Sequence, residues 1–462
     1  MSRFLLLLAA CTGDVKPTPS PTDTGPFDSA SEGEGETGET SPAPALYDVS
    51  GAEIVVALPW SGGAIPFGGY AATVAAGGFY VADPLGDGTD AYVYRLPWGE
   101  TSAPTIEDAA DRLITLGYLG PDKLGTSGDL VAVPDADADV GDIPSAGIGY
   151  LLAEPSAGGA VADLATYAVH GGYEGGYTGR LLILDADGDG SADDLIATAT
   201  VESGDAHGAL AVYLDAEPGS YAWSEADYVL PACYEVEGAT VAYGPVDLAL
   251  DASGDHLWVA CPSTRYVNGL VERWDLPLSA DAAPYGGVTG PGGWTVAADP
   301  RGGVWMGSAG GVVMYAPADL SDVLELAPED GGDLFGFAPE LVETSTGQIL
   351  ILVGEVTRSA RSDGESARLA PLDLPPLFDP GDLPTAPPEA GESYSAVYLC
   401  DVTAGPSLDD CARYEVPDDQ AVTCTGSVQG LVEREDGLWL ASSGWEFGSG
   451  DGCGVIVRRL AL

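Results

Sequence analysis

From about Leu46 onward the chain is a succession of short apolar runs arranged in pairs. The first run of each pair is Phe79-Tyr-Val-Ala82, Leu130-Val-Ala-Val133, Leu195-Ile-Ala-Thr198, Leu257-Trp-Val-Ala260, Val304-Trp-Met-Gly307, Ile349-Leu-Ile-Leu352 or Leu438-Trp-Leu-Ala441. The second is Ala91-Tyr-Val-Tyr94, Ile148-Gly-Tyr-Leu151, Ala211-Val-Tyr-Leu214, Leu270-Val-Glu-Arg-Trp274, Val312-Val-Met-Tyr315, Ala396-Val-Tyr-Leu399 or Val455-Ile-Val457. Each run has the length and the β-branched and aromatic content of a strand, and turn-forming residues separate them. Helical periodicity is almost absent. Only Thr105 to Leu116 places Ile106, Ala110, Leu113 and Ile114 at helical spacing, which predicts one short helix.

A strand–loop–strand unit recurring at roughly 40 to 70 residues is the spacing of propeller blades. The fold class predicted is therefore all-β, a single β-propeller over residues 46–462. The seven pairs predict seven blades, with six or eight left open because degenerate blades escape a pattern search. Trp258, Trp305 and Trp439 recur at one place in the unit, which marks them as blade packing. Sixty-five glycines and 35 prolines agree with many tight turns. In the sixth unit a Pro-, Asp- and Glu-rich insertion, 354–393, separates the paired runs and is either a binding loop or filler.

Charge narrows the partners. With 72 acidic against 16 basic residues, a net charge of -56 repels nucleic acid, and a solubilising acidic surface is the simplest use of it. His170, His207 and His256 lie far apart with no nucleophile motif around them, so no catalytic residues are assigned and the chain is read as no enzyme.

The N-terminus is organised differently. Arg3 followed by the apolar run Phe4 to Ala10 is too short to span a bilayer and reads as a secretion signal. Leu8-Ala9-Ala10-Cys11 resembles the bacterial lipobox, although ten residues before the cysteine is a short signal. That resemblance implies a signal peptide at 1–10, lipidation of Cys11, and, with Thr12 following, an outer-membrane or cell-surface location. Residues 11–45 are rich in Thr, Ser, Pro, Gly and acidic residues, which predicts a disordered tether. The six remaining cysteines contain no Cys-x-x-Cys pair and imply an oxidising compartment. Local loops favour Cys233 with Cys261, Cys400 with Cys411 and Cys424 with Cys453, among fifteen connectivities that stay open.

The densest chemistry lies between Leu181 and Leu195. A buried-strand pattern enters a loop carrying Asp185, Asp187, Asp189 and Asp193, with Gly190 in the sixth position, the spacing of a calcium loop. An EF-hand is excluded because Ile196 holds the twelfth position. The stretch resembles the FG-GAP repeat of the integrin-alpha N-terminal propeller, covering the third unit at 179–214 and only the architecture elsewhere. The resemblance implies calcium held by Asp185, Asp187, Asp189 and Asp193, with the backbone carbonyl of Ser191. The function expected is a lipid-anchored, monomeric, non-enzymatic scaffold binding a protein or glycan, with calcium as a structural ion. The alternatives are a calcium-dependent propeller hydrolase of the lactonase kind and an envelope-assembly component with no soluble ligand.

Overall fold

The computed structural model describes residues 46–58, 71–75, 78–83, 91–97, 111–115, 124–135, 138–153, 158–172, 178–199, 208–233, 244–261, 269–290, 295–307, 311–329, 335–356, 395–415, 428–443 and 455–461. Contacts divide the chain into Met1–Pro44 and Ala45–Leu462, and all described residues belong to the second unit.

Among the described residues seven sheets, each built on four antiparallel strands, follow one another along the chain. Blade 1 is Ala71–Ala75, Gly78–Asp83, Ala91–Pro97 and Asp111–Thr115. Blade 2 is Gly125–Ser127, Leu130–Asp135, Ile148–Leu152 and Tyr167–His170. Blade 3 is Thr178–Leu184, Asp194–Ala199, Gly208–Tyr213 and Tyr228–Ala232. Blade 4 is Asp247–Leu250, His256–Cys261, Gly269–Asp275 and Gly286–Gly290. Blade 5 is Thr295–Ala298, Val304–Gly307, Val313–Ala316 and Leu324–Leu326. Blade 6 is Phe335–Glu343, Ile349–Val356, Ser395–Asp401 and Cys411–Glu415. Blade 7 is Val428–Arg434, Gly437–Ser443 and Val455–Leu460, and its fourth strand is Glu53–Leu58 from the start of the body.

The first strands touch one another in order around the ring, and Val428–Arg434 returns to Ala71–Ala75. The protein is thus a seven-bladed β-propeller, and the predicted pairs are the second and third strands of its blades. These strands read as continuous apolar runs because both faces are buried. In Ile349–Val356, Ile349, Ile351 and Val353 pack with blade 5 residues such as Trp305 and Tyr315. Leu350 and Leu352 point the other way, to Leu431 and Leu440 of blade 7. The core therefore lies between blades. Trp258 and Trp305 are fully buried there, and Trp439 nearly so.

Blades 1 and 2 gain a fifth, parallel strand from the loop of the following blade. Gly159–Ala160 adds to Asp111–Thr115, and Gly219–Ala222 adds to Tyr167–His170. The same outer position in blade 3 carries Pro231, which has no N–H to offer a further strand.

The helix predicted over Thr105 to Leu116 is contradicted for 111–115, which form the fourth strand of blade 1 against Ala91–Arg95; residues 105–110 lie outside the described set. A ladder available on a blade edge outweighs weak helical spacing that includes Ile and Thr, residues favoured in strands. Among the described residues helix is limited to an α-helical turn at Val161–Leu164 and a 3-10 turn at Trp223–Glu225. Two of the cysteine pairs are disulfides: Cys233–Cys261 between blades 3 and 4, and Cys400–Cys411 between adjacent strands of blade 6. Cys424, Cys453, Cys11 and most of the 354–393 insertion lie outside the described residues.

Closure of the ring depends on the segment leading into Glu53–Leu58. Gln348, 2% exposed, accepts a hydrogen bond from Tyr47 N (2.9 Å) and donates through Nε2 to Tyr47 O (3.1 Å) and to Asp401 Oδ2 (2.7 Å). The Tyr47 hydroxyl donates to Glu433, and that of Tyr414 to Val49 O. Gln348→Ala leaves the Tyr47 backbone groups and Asp401 without this partner, and is expected to cost about 2 to 3 kcal/mol in chemical denaturation.

Candidate functional site

The Asp-rich loop joins the first and second strands of blade 3, between the paired residues Leu184 and Asp194. Its backbone is wound around its own carboxylates. Asp185 accepts from Gly188 N (2.8 Å) and Gly190 N (3.0 Å), Asp187 from Asp189 N (3.0 Å), and Asp189 from Ser191 N (2.7 Å). Gly188 and Gly190 have φ of 80° and 93°, a left-handed backbone that glycine adopts without strain.

Asp194, 2% exposed, anchors the loop from below. One of its oxygens accepts from Ala186 N (2.7 Å) and Asp187 N (3.1 Å), and the other from Asp215 N (2.9 Å) in the loop between the third and fourth strands. Oxygens of Asp185, Asp187 and Asp194 lie within 4.8 Å of one another. Two of these residues belong to the expected calcium set. Asp189, Ser191 and Asp193 share the loop, but the converging triplet does not include them. Counting ligand positions selects Asp193; the adjacent Asp194 opens the second strand with its side chain turned inward, and only the doubled Asp193-Asp194 hints at it.

A sixth carboxylate, Asp215, faces the same group at φ 48°. Asp215 is exposed, and the charge of Asp193, some desolvation, and the charges of Asp189, Asp187 and Asp194 all push its pKa upward. Among the described residues no Lys or Arg forms an ion pair with any of the six. An all-oxygen, strongly negative donor set of this kind suits a hard cation such as calcium and suits soft or imidazole-seeking metals poorly.

The equivalent turns of other blades are short. Asp251, Asp299 and Thr344 each close a turn in which a glycine three residues on donates to their carbonyl, and Gly254, Gly302 and Gly347 have positive φ. The side chain then caps the hairpin. Asp251 accepts from Ser253, Asp255 N and His256, with His256 Nδ1 at 2.6 Å. Asp299 accepts from Arg301 Nε (2.7 Å), from its Nη2 (2.6 Å) and from Trp305 Nε1 (2.8 Å). Burial raises the pKa of Asp299, but the hydrogen bonds and charge of Arg301 and the Trp305 N–H prevail and hold it below the usual carboxylate range. Asp251 is lowered in the same way, its burial outweighed by His256 and Ser253. In blade 6, Thr344 Oγ1 accepts from Gln348 N (3.0 Å).

The Asp-rich loop and the turns of blades 5 and 6 also join neighbouring blades. Ala186 O accepts from Leu278 N of blade 4 (2.6 Å), Arg301 Nη1 donates to Val402 O of blade 6 (2.7 Å), and Gln348 of blade 6 holds Tyr47, which leads into blade 7. The turns after the first and third strands therefore share one face of the ring, as does the entry of the chain at Tyr47. Of the three histidines, His170 bonds Ser220 (2.7 Å) and His256 caps its turn, while His207 lies outside the described residues.

No family model matches the chain, and no curated protein matches it significantly. Among solved structures, the WD40 β-propeller domain of Doa1 is similar, with a TM-score of 0.46 and 11% identity over 88% of this chain and 97% of that one.

Asp299→Asn removes the charge that Arg301 and Trp305 face in a fully buried position, and is expected to destabilise the protein by about 2 to 4 kcal/mol at neutral pH. Since the folded pKa is lowered, the contribution of Asp299 is complete above the usual carboxylate range and fades as pH falls through the folded value. Denaturation of native and variant proteins against pH should show their difference shrinking in acid.

Proposed function

We propose that this propeller is a lipid-anchored, non-enzymatic scaffold of the bacterial outer membrane or cell surface. In this reading it binds a protein or glycan, and the Asp185–Asp194 loop holds a structural calcium ion. The observation that carries the reading is the convergence of Asp185, Asp187 and Asp194 from one hairpin, without a cationic side chain to balance them among the described residues. An ion held by one blade braces that blade. A propeller hydrolase of the lactonase kind would draw its ligands from several blades around the channel.

The FG-GAP resemblance supports calcium at this loop, with Asp189, Asp193 and the Ser191 carbonyl as further ligands from the expected set. The lipobox-like Leu8-Ala9-Ala10-Cys11 and the polar stretch that follows support the anchor. The cation would offset the mutual repulsion of the carboxylates. The protein's part is to fix Asp194 beneath the loop and to wind Asp185 and Asp187 towards it.

Calcium at a hundred times its dissociation constant adds about 2.7 kcal/mol to stability. EDTA should therefore lower the thermal midpoint, calcium should restore it, and Asp187→Ala should abolish the response; a midpoint indifferent to EDTA excludes the ion. For the anchor, Cys11→Ser is expected to abolish incorporation of labelled palmitate and to release the protein from the membrane fraction. A screen of the calcium-loaded body on a glycan array, repeated in EDTA, tests the glycan arm of the binding function directly.

A further inference from the structure

The seam between blades 3 and 4 is held at both ends. On the face bearing the Asp loop, Leu278 N donates to Ala186 O (2.6 Å), and a side chain at Gly188 would come within 3.1 Å of the Pro277 ring. At the opposite end Cys233, just past the fourth strand of blade 3, is bonded to Cys261, the last residue of the second strand of blade 4. Glu272 of blade 4 secures that end further by accepting from Cys233 N (3.0 Å).

One continuous core joins the two ends. Ala186 and Leu278 belong to the same buried cluster as Cys233 and Cys261, with Leu184, Ile196 and Val212 of blade 3 packed against Leu257, Val259 and Trp274 of blade 4. Close-packed interiors transmit strain, so loosening one end of this cluster alters the packing at the other.

The Ala186 residue is where the loop's chemistry meets the seam. Its N–H donates to Asp194, one of the three converging carboxylates, while its C=O receives the bond from blade 4. Fixing Asp194 on a cation fixes Ala186, and a well-packed seam holds Ala186 where Asp194 needs it.

We infer that the Asp185–Asp194 loop and the Cys233–Cys261 disulfide are two coupled clamps on one seam: the disulfide pre-organises the loop for calcium, and calcium protects the disulfide from reduction. This rests on the calcium reading above. By linkage the two effects have the same free energy, and couplings between sites commonly amount to fivefold or more in affinity.

The test measures calcium affinity by chelator competition. The dissociation constant should rise at least about fivefold in Cys233→Ser/Cys261→Ser. It should stay unchanged in Cys400→Ser/Cys411→Ser, whose disulfide lies within blade 6. On the native protein in a dithiothreitol redox buffer at equilibrium, calcium should lower the reduced fraction of Cys233–Cys261, read by alkylation and mass spectrometry, and leave that of Cys400–Cys411 unaffected. Equal affinities in the native and Cys233/Cys261 variant proteins overturn the coupling and leave the calcium site intact. Should that variant not fold, a reduction equilibrium indifferent to calcium overturns it equally. A native protein that binds no calcium removes both readings.

Discussion

A ring of blades must close. The described cores lie between successive blades from 2 to 7, so an unclosed ring would expose two apolar sheet faces at once. The chain meets this constraint by lending Glu53–Leu58, from the start of the body, to the last blade, where it pairs with Val455–Leu460. The first strand of the fold thus becomes the outer strand of the final sheet. Any disturbance at Tyr47, Gln348 or Glu433 reaches the ring through this one joint. Contacts this distant in sequence carry a high loop-closure cost before they return any stability, which is why the joint is reinforced by buried polar bonds as well as apolar packing.

Around the ring the turn face repeats one solution with different residues. A short turn ends the first strand and a polar side chain caps it: Asp299 with Arg301 by an ion pair, Asp251 with a histidine, and Thr344 with Gln348 through neutral hydrogen bonds. In blades 5 and 6 Arg301 and Gln348 also reach beyond their own blade. Few basic side chains exist to spend, and the described arginines are largely committed to the ring itself: Arg180 to Asp247, Arg273 to Asp275, Arg301 to Asp299 and Arg413 to Glu355.

The legible part of the fold was that buried on both sides. Runs such as Leu257-Trp-Val-Ala260 stand out because two apolar faces leave no room for polar alternation. First and fourth strands were harder to read: Gly125–Ser127 is three residues with no apolar side chain, and Leu324–Leu326 lies mostly exposed. The closing strand could not be assigned from Ile54-Val-Val-Ala-Leu58 alone, since its partner lies some four hundred residues away. In the loop, two of the residues that ligand spacing selects, Asp185 and Asp187, fall in the converging triplet. The spacing does not select its third member, Asp194, whose place depends on inward orientation and on Asp215 N and Ala186 N, which only the fold brings to it.

Charge gives the blade 3 loop its distinct standing. In the turns of blades 4 and 5 a single acid caps the hairpin with His256 or Arg301 among its donors, whereas here Asp185, Asp187, Asp189, Asp193, Asp194 and Asp215 gather with backbone N–H groups as their main company. Two like charges 4 Å apart repel by about 1 kcal/mol even in water, and by more where burial excludes it, as at Asp194. Backbone dipoles offset part of this, but they do not supply a net positive charge. A divalent cation would, and in the proposed calcium reading it brings to blade 3 the countercharge that Arg301 brings to blade 5. In that reading the long loop and the short capped turns are two forms of one device, distinguished by whether the positive charge is covalently part of the chain or drawn from solution.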